Sequence, residues 1–75
     1  MMQHLQWWRD LVEWQQQNIS VVLVTVLRAD GSTPREVGAT MLLRLDQQQQ
    51  IQQSDTIGGG HLEFQAIDIA KQMLL

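Results

Sequence analysis

ISVVLVTVL, Ile19 to Leu27, is the stretch on which the fold turns. Its residues are dominated by β-branched side chains. Both alternating faces are apolar: Ile19, Val21, Leu23 and Leu27 on one, Val22, Val24 and Val26 on the other. That pattern predicts a strand, and a strand apolar on both faces is expected at the centre of a sheet, covered on two sides.

Toward the N-terminus, Leu5, Trp8 and Val12 fall on one helical stripe, with Trp7, Leu11 and Trp14 on an adjoining one. The spacing predicts an amphipathic helix over Gln3 to Gln17 with a wide apolar face. Trp7, Trp8 and Trp14 could stack on bases, but Arg9 is the single basic residue among them, against Asp10 and Glu13. They read as core or interface anchors instead. His4 reads as a surface residue.

Toward the C-terminus, ATMLLRL, Ala39 to Leu45, predicts a second strand. Ala39, Met41, Leu43 and Leu45 face one way, and Thr40, Leu42 and Arg44 form a partly wet opposite face. Asp46 to Gln50 is expected to be a hairpin connection with a mobile glutamine tip. Ile51 to Ile57 reads as a polar third strand at an edge. Leu62, Ala66, Ile69 and Met73 then recur at helical spacing, so a second amphipathic helix follows. The expected fold is α+β: a small, mainly antiparallel three-stranded sheet flanked by an N-terminal and a C-terminal helix.

Composition bounds what such a fold can do. Seventy-five residues make one domain, and a domain of that size buries only about 60% of the surface its unfolded chain exposes. Apolar residues make up 44% and charged residues 17%, so some apolar surface is expected against a partner or a missing domain, and self-association is expected as well. Five Lys and Arg against eight Asp and Glu leave no basic field for nucleic acid. The absence of cysteine excludes disulfides and thiolate metal sites carried by this chain. There is no signal-like N-terminus and no apolar run of membrane-spanning length, so no membrane partner is expected and a cytoplasmic protein is.

Two loops could carry chemistry. ADGSTPREVG, Ala29 to Gly38, joins the first two strands; Pro34 stiffens it, Ser32 and Thr33 offer hydroxyls, and Arg35 offers a planar fork for phosphate or carboxylate. An Arg35 that pairs with Glu36 or Asp30, or points into water, fits the same residues. DTIGGGHLEF, Asp55 to Phe64, sets three glycines where a strand gives way to a helix. With a helix starting near His61, Gly58 to Gly60 would present backbone N–H groups where the macrodipole favours an anion. Glu63 would then lie near the third helical position, either complementing the dipole or touching a ligand. His61, at a helix start, is expected to favour its neutral form and to act by hydrogen bonding rather than as a metal ligand. Neither the dinucleotide fingerprint nor the P-loop fits the glycines, and no hydroxyl has an evident base for a nucleophilic triad.

GSTPREVGATM (Gly31 to Met41) and TIGGGHLE (Thr56 to Glu63), in this order and at this spacing, resemble the N-terminal domain of the XdhC/CoxI family of accessory proteins. The resemblance runs from about Ile19 onward. It implies a maturation factor, not an enzyme, that binds the molybdenum cofactor (molybdopterin) as cargo. Such a factor assists the cofactor's sulfuration and insertion into a xanthine dehydrogenase-type apo-enzyme, with a cysteine desulfurase as a further partner. On that reading Gly31, Ser32, Thr33, Pro34 and Arg35 form one wall of the site, and Gly58, Gly59, Gly60, His61 and Glu63 the other. Other branches of the family carry a cysteine at the position of His61, so a thiolate route through that position is closed to this chain. Family members typically continue into a Rossmann-like domain, which makes residues 1–75 read as a single N-terminal domain lacking it. The rival reading is a protein-interaction module that docks on a molybdoenzyme or its maturation partners without binding cofactor itself.

Overall fold

The computed structural model describes residues 6–27 and 36–75. Its elements run α1 (Gln6–Gln16), β1 (Val22–Thr25), β2 (Thr40–Leu45), β3 (Ile51–Ser54) and α2 (Gly60–Leu74). The strands form one antiparallel sheet in the order β1-β2-β3. This is the expected α+β arrangement of helix, three strands and helix.

Register explains the layering. Val22 pairs with Leu43 and Val24 with Met41, which puts these four on one face. With Val26, Ala39, Ile51 and Ile57 they meet Ala66, Ile67 and Ala70 of α2 in the main core. Leu23 pairs with Leu42, and Leu42 with Ser54, on the opposite face, where α1 packs over β2 and β3. Met41, Leu42 and Leu43 are three consecutive, wholly buried residues. Alternation therefore sends Leu42 toward α1 and its two neighbours toward α2, and each such side chain contributes about 1.5–3 kcal/mol by leaving water.

Two expectations are corrected here. The central strand, covered on both sides, is β2 and not β1: Leu23 at the edge remains 49% exposed, because α1 spans β2 and β3 and leaves that part of β1 uncovered. The opposite face of β2 is partly wet as expected, with Thr40 and Arg44 half-buried on either side of the buried Leu42. The second helix is also rotated from its expected stripe. Of Leu62, Ala66, Ile69 and Met73, only Ala66 packs on the core, while Ile69 and Met73 stay more than 60% exposed. Two alanines a turn apart, Ala66 and Ala70, let the helix backbone approach the sheet closely, and that contact determines which side faces inward.

Both connections at the hairpin end are closed by local hydrogen bonds, from the backbone alone after α1 and with the Asp46 carboxylate in the hairpin. After α1 the chain turns at Asn18, whose φ is 61°. Asn18 N–H donates to the Gln15 carbonyl at 3.0 Å and Ile19 N–H to the Trp14 carbonyl at 2.9 Å, the paired bonds of a Schellman stop. The hairpin between β2 and β3 is not the loose tip expected of a glutamine run. Asp46 Oδ1 accepts from Gln48 and Gln50 N–H at 2.8 and 2.9 Å, and its Oδ2 accepts from the Gln52 amide at 2.9 Å. The Gln50 N–H bond first of all, helped by those of Gln52 and Gln48 and by Arg44, holds the Asp46 carboxyl below its ordinary value. No helix among the described residues is long and apolar enough to cross a membrane.

Candidate functional site

β1 and β3 both run antiparallel to β2, so the end of β1, the start of β2 and the end of β3 share one end of the sheet. The loop that begins after Leu27 is anchored there. Val26 N–H donates to the Ala39 carbonyl at 3.0 Å, and Gly38 N–H returns to the Val26 carbonyl at 2.8 Å. Gly31, Ser32, Thr33, Pro34 and Arg35 lie outside the described residues, as does His4. Their flanking segments leave and re-enter the sheet beside the point where Ser54 leads into the glycine turn.

That turn is an unusual backbone path. Asp55 has φ 63°, and Gly58, Gly59 and Gly60 follow with φ of 116°, 75° and 73°. Gly59 is the N-cap of α2, and its ψ of −163° puts it in a region essentially reserved for glycine. A Cβ added there would meet nothing within 4 Å. Conformation, not space, is therefore what requires glycine at this position.

Glu63 accounts for the shape of the turn. Its Oε1 accepts hydrogen bonds from Ile57 N–H at 2.9 Å, Gly59 N–H at 3.0 Å and the Thr56 hydroxyl, and its Oε2 accepts one from the Gln53 amide at 2.9 Å. The Thr56 oxygen in turn accepts from Gly58 N–H at 3.1 Å, and the Gln53 amide also donates to the Asp55 carbonyl at 2.9 Å. A side chain in the first turn of the helix that reaches back to the N-cap N–H acts like a capping box, displaced by one residue. Partial burial pushes the Glu63 carboxyl up, but the bonds from Thr56, Gln53, Gly59 and Ile57 together outweigh it and hold it at about 2. Of the two roles open to Glu63, the geometry displays the structural one: an internal anion around which the turn closes.

The remaining site residues are arranged around this carboxylate. His61 is exposed in the first turn of α2, beside the N-cap that Glu63 closes. Among the described residues no group of three His, Cys, Asp or Glu side chains is placed to hold a metal ion. One contact at the turn has no local sequence signal. Asp55 Oδ2 accepts the Trp7 N–H at 2.9 Å, so an acid from the turn caps the start of α1 from 48 positions away. Trp7 and Trp8 meet edge to face beside it, with ring centroids 5.7 Å apart; Trp7 is half-buried and Trp8 is 53% exposed.

Comparison with known proteins agrees with the two motif loops. A model of the XdhC and CoxI family matches residues 14–75, which is most of the chain. The chain belongs to the XdhC and CoxI family. This is an accessory family, and membership in it associates the chain with molybdoenzyme maturation. The matched region takes in β1, β2, β3, α2 and the glycine turn, and begins within the last turn of α1. No curated protein and no solved structure gives a significant match.

Proposed function

We propose that this member of the XdhC and CoxI family binds the molybdenum cofactor as cargo and assists its sulfuration and insertion into a xanthine dehydrogenase-type apo-enzyme. The observation that carries the proposal is the shared end of the sheet: the strand ends flanking Gly31 to Arg35 and the glycine turn lie side by side. A cargo rich in phosphate and oxo groups suits an arginine fork and a helix start, where first-turn N–H groups have no intrahelical acceptors.

Glu63 gives this reading a particular form. The N–H groups of Ile57 and Gly59 already serve its carboxylate, so the turn is a pre-shaped scaffold rather than an empty anion cradle. In the proposed site Arg35 supplies the positive charge, and the turn presents His61 and the start of α2. The cytoplasm is the proposed setting, and a cysteine desulfurase and a second copy of the chain are further proposed partners.

Anaerobic equilibrium dialysis against molybdenum cofactor tests the proposal, with bound molybdenum and pterin quantified separately. Saturable binding of both is expected, weakened at least tenfold in the folded Arg35→Ala, Gly59→Ala double variant. Unchanged binding by that variant would refute the site. A second reading rests on the exposure of Trp8, Phe64, Ile69 and Met73, each more than half accessible. These residues suit a module that docks on a molybdoenzyme or its maturation partners without touching cofactor.

A further inference from the structure

The end of the sheet opposite the glycine turn contains an open cavity of about 500 Å³ between the foot of α1 and the β2–β3 hairpin. Gln17 and Ile19 line it from the helix side, Arg44 and Leu45 from β2, and Asp46 and Gln48 from the hairpin. Its size is that of pockets that take small molecules. Arg44 is its cationic group. The guanidinium carbon lies 5.0 Å from the centroid of the Trp14 ring, which orients the guanidinium by cation–π contact.

Arg44 also acts on the Asp46 carboxylate through space. Its Nε is buried, and among the described residues the side chain makes no hydrogen bond and no ion pair. Asp46 is the neighbouring acid, but its oxygens are engaged by Gln48, Gln50 and Gln52 within the hairpin. A planar fork of donors held on an aromatic ring, at the mouth of a cavity with Ile19 and Leu45 as apolar walls, matches a planar oxyanion on a short apolar stem. The Asp46 charge beside it disfavours a dianion.

We propose that the Arg44–Trp14 cavity binds a monocarboxylate, either a small organic acid or the terminal carboxylate of a peptide. The site is separate from the proposed cofactor end and does not depend on it. Titration of the chain with sodium propanoate at constant ionic strength, followed by 1H–15N NMR, tests the proposal. Saturable shifts are expected at the Arg44 Nε–H and the backbone amides of Leu45 to Gln48, with those of Gly58 to Gly60 unmoved. Arg44→Lys, which keeps the charge but loses the fork, should weaken binding at least fivefold, while Arg9→Gln should leave it unchanged. A capped peptide ending in a free carboxylate, acetyl-Ala-Ala-Leu, is the second arm: tighter binding than propanoate assigns the site to chain ends, and equal binding assigns it to small acids. Full retention of propanoate binding by Arg44→Lys, or equal shifts with inorganic phosphate, overturns the proposal.

Discussion

Replacing Glu63 by glutamine keeps the size of the side chain and removes its charge, so it isolates what the carboxylate does for the turn. In the folded protein this carboxyl is held at about 2, against an ordinary 4.5. Because its affinity for protons is lower when folded, it stabilises the fold fully above pH 4.5, and this contribution declines as the pH falls toward 2. At about 1.4 kcal/mol per tenfold change in proton affinity the ceiling is about 3 kcal/mol. The carboxylate is partly open to water, which screens the interaction and brings the expected figure to about 1–2 kcal/mol. Glutamine can still accept the three Oε1 bonds, but its NH2 would face the NH2 of Gln53, two donors where one acceptor stood. Urea unfolding followed by circular dichroism should place Glu63→Gln about 1–2 kcal/mol below the parent at pH 7. A little under half of that gap should remain at pH 3, and at pH 2 it should be smaller still. A gap below about 0.3 kcal/mol at pH 7, or one that does not change between pH 7 and pH 3, would refute the assignment of Glu63 as the anion that closes the turn.

Gly59→Ala should cost about 1–3 kcal/mol although an alanine Cβ has open space around it, because the backbone there is one that only glycine adopts readily; thermal unfolding reads this directly, and an unchanged midpoint would count against the conformational argument. At the stop of α1, Asn18→Ala should lose about 1 kcal/mol, whereas Asn18→Gly should match or exceed the parent, since φ of 61° favours glycine over alanine. Asp55→Ala should lower protection of the Trp7 amide against hydrogen exchange and fray the first turn of α1, with a loss of about 1 kcal/mol. Leu43→Ala, at the wholly buried centre of the sheet, should cost about 2–5 kcal/mol, enough to leave so small a domain largely unfolded at 25 °C by circular dichroism.

The elements themselves could be read from local pattern. β-branched runs with period two and apolar spacing near 3.6 mark three strands and two helices within a few residues of their observed limits. Pattern could not say which strand lies in the middle. The residues of β1 are apolar on both faces, yet burial of both faces falls to β2, because the paths of the two helices across the sheet are settled by packing. The same holds for α2, whose small residues Ala66 and Ala70 decide the inward side over the larger Ile69 and Met73. At the site, the glycines were legible as a demand for positive φ. The role of Glu63 was half legible, since a carboxylate four residues after Gly59 can reach back to its N–H, as a capping box does. The Asp55 cap on α1 was not legible, because 48 residues separate donor and acceptor and no short-range rule connects them. Asp46 shows a milder case: a glutamine run looks featureless until the acid before it gathers the backbone N–H groups.

The bond from Trp7 to Asp55 also bears on the order in which the chain is made. During synthesis α1 emerges first, but the acid that caps its start leaves the ribosome 48 residues later, after all three strands. Until the strands it packs on have also emerged, the helix has only its own short length to sustain it, and an isolated helix of eleven residues is marginal in water. The tryptophan-bearing helix therefore gains its cap only once the glycine turn exists. Completion of the turn and capping of the N-terminal helix are thus coupled through one hydrogen bond.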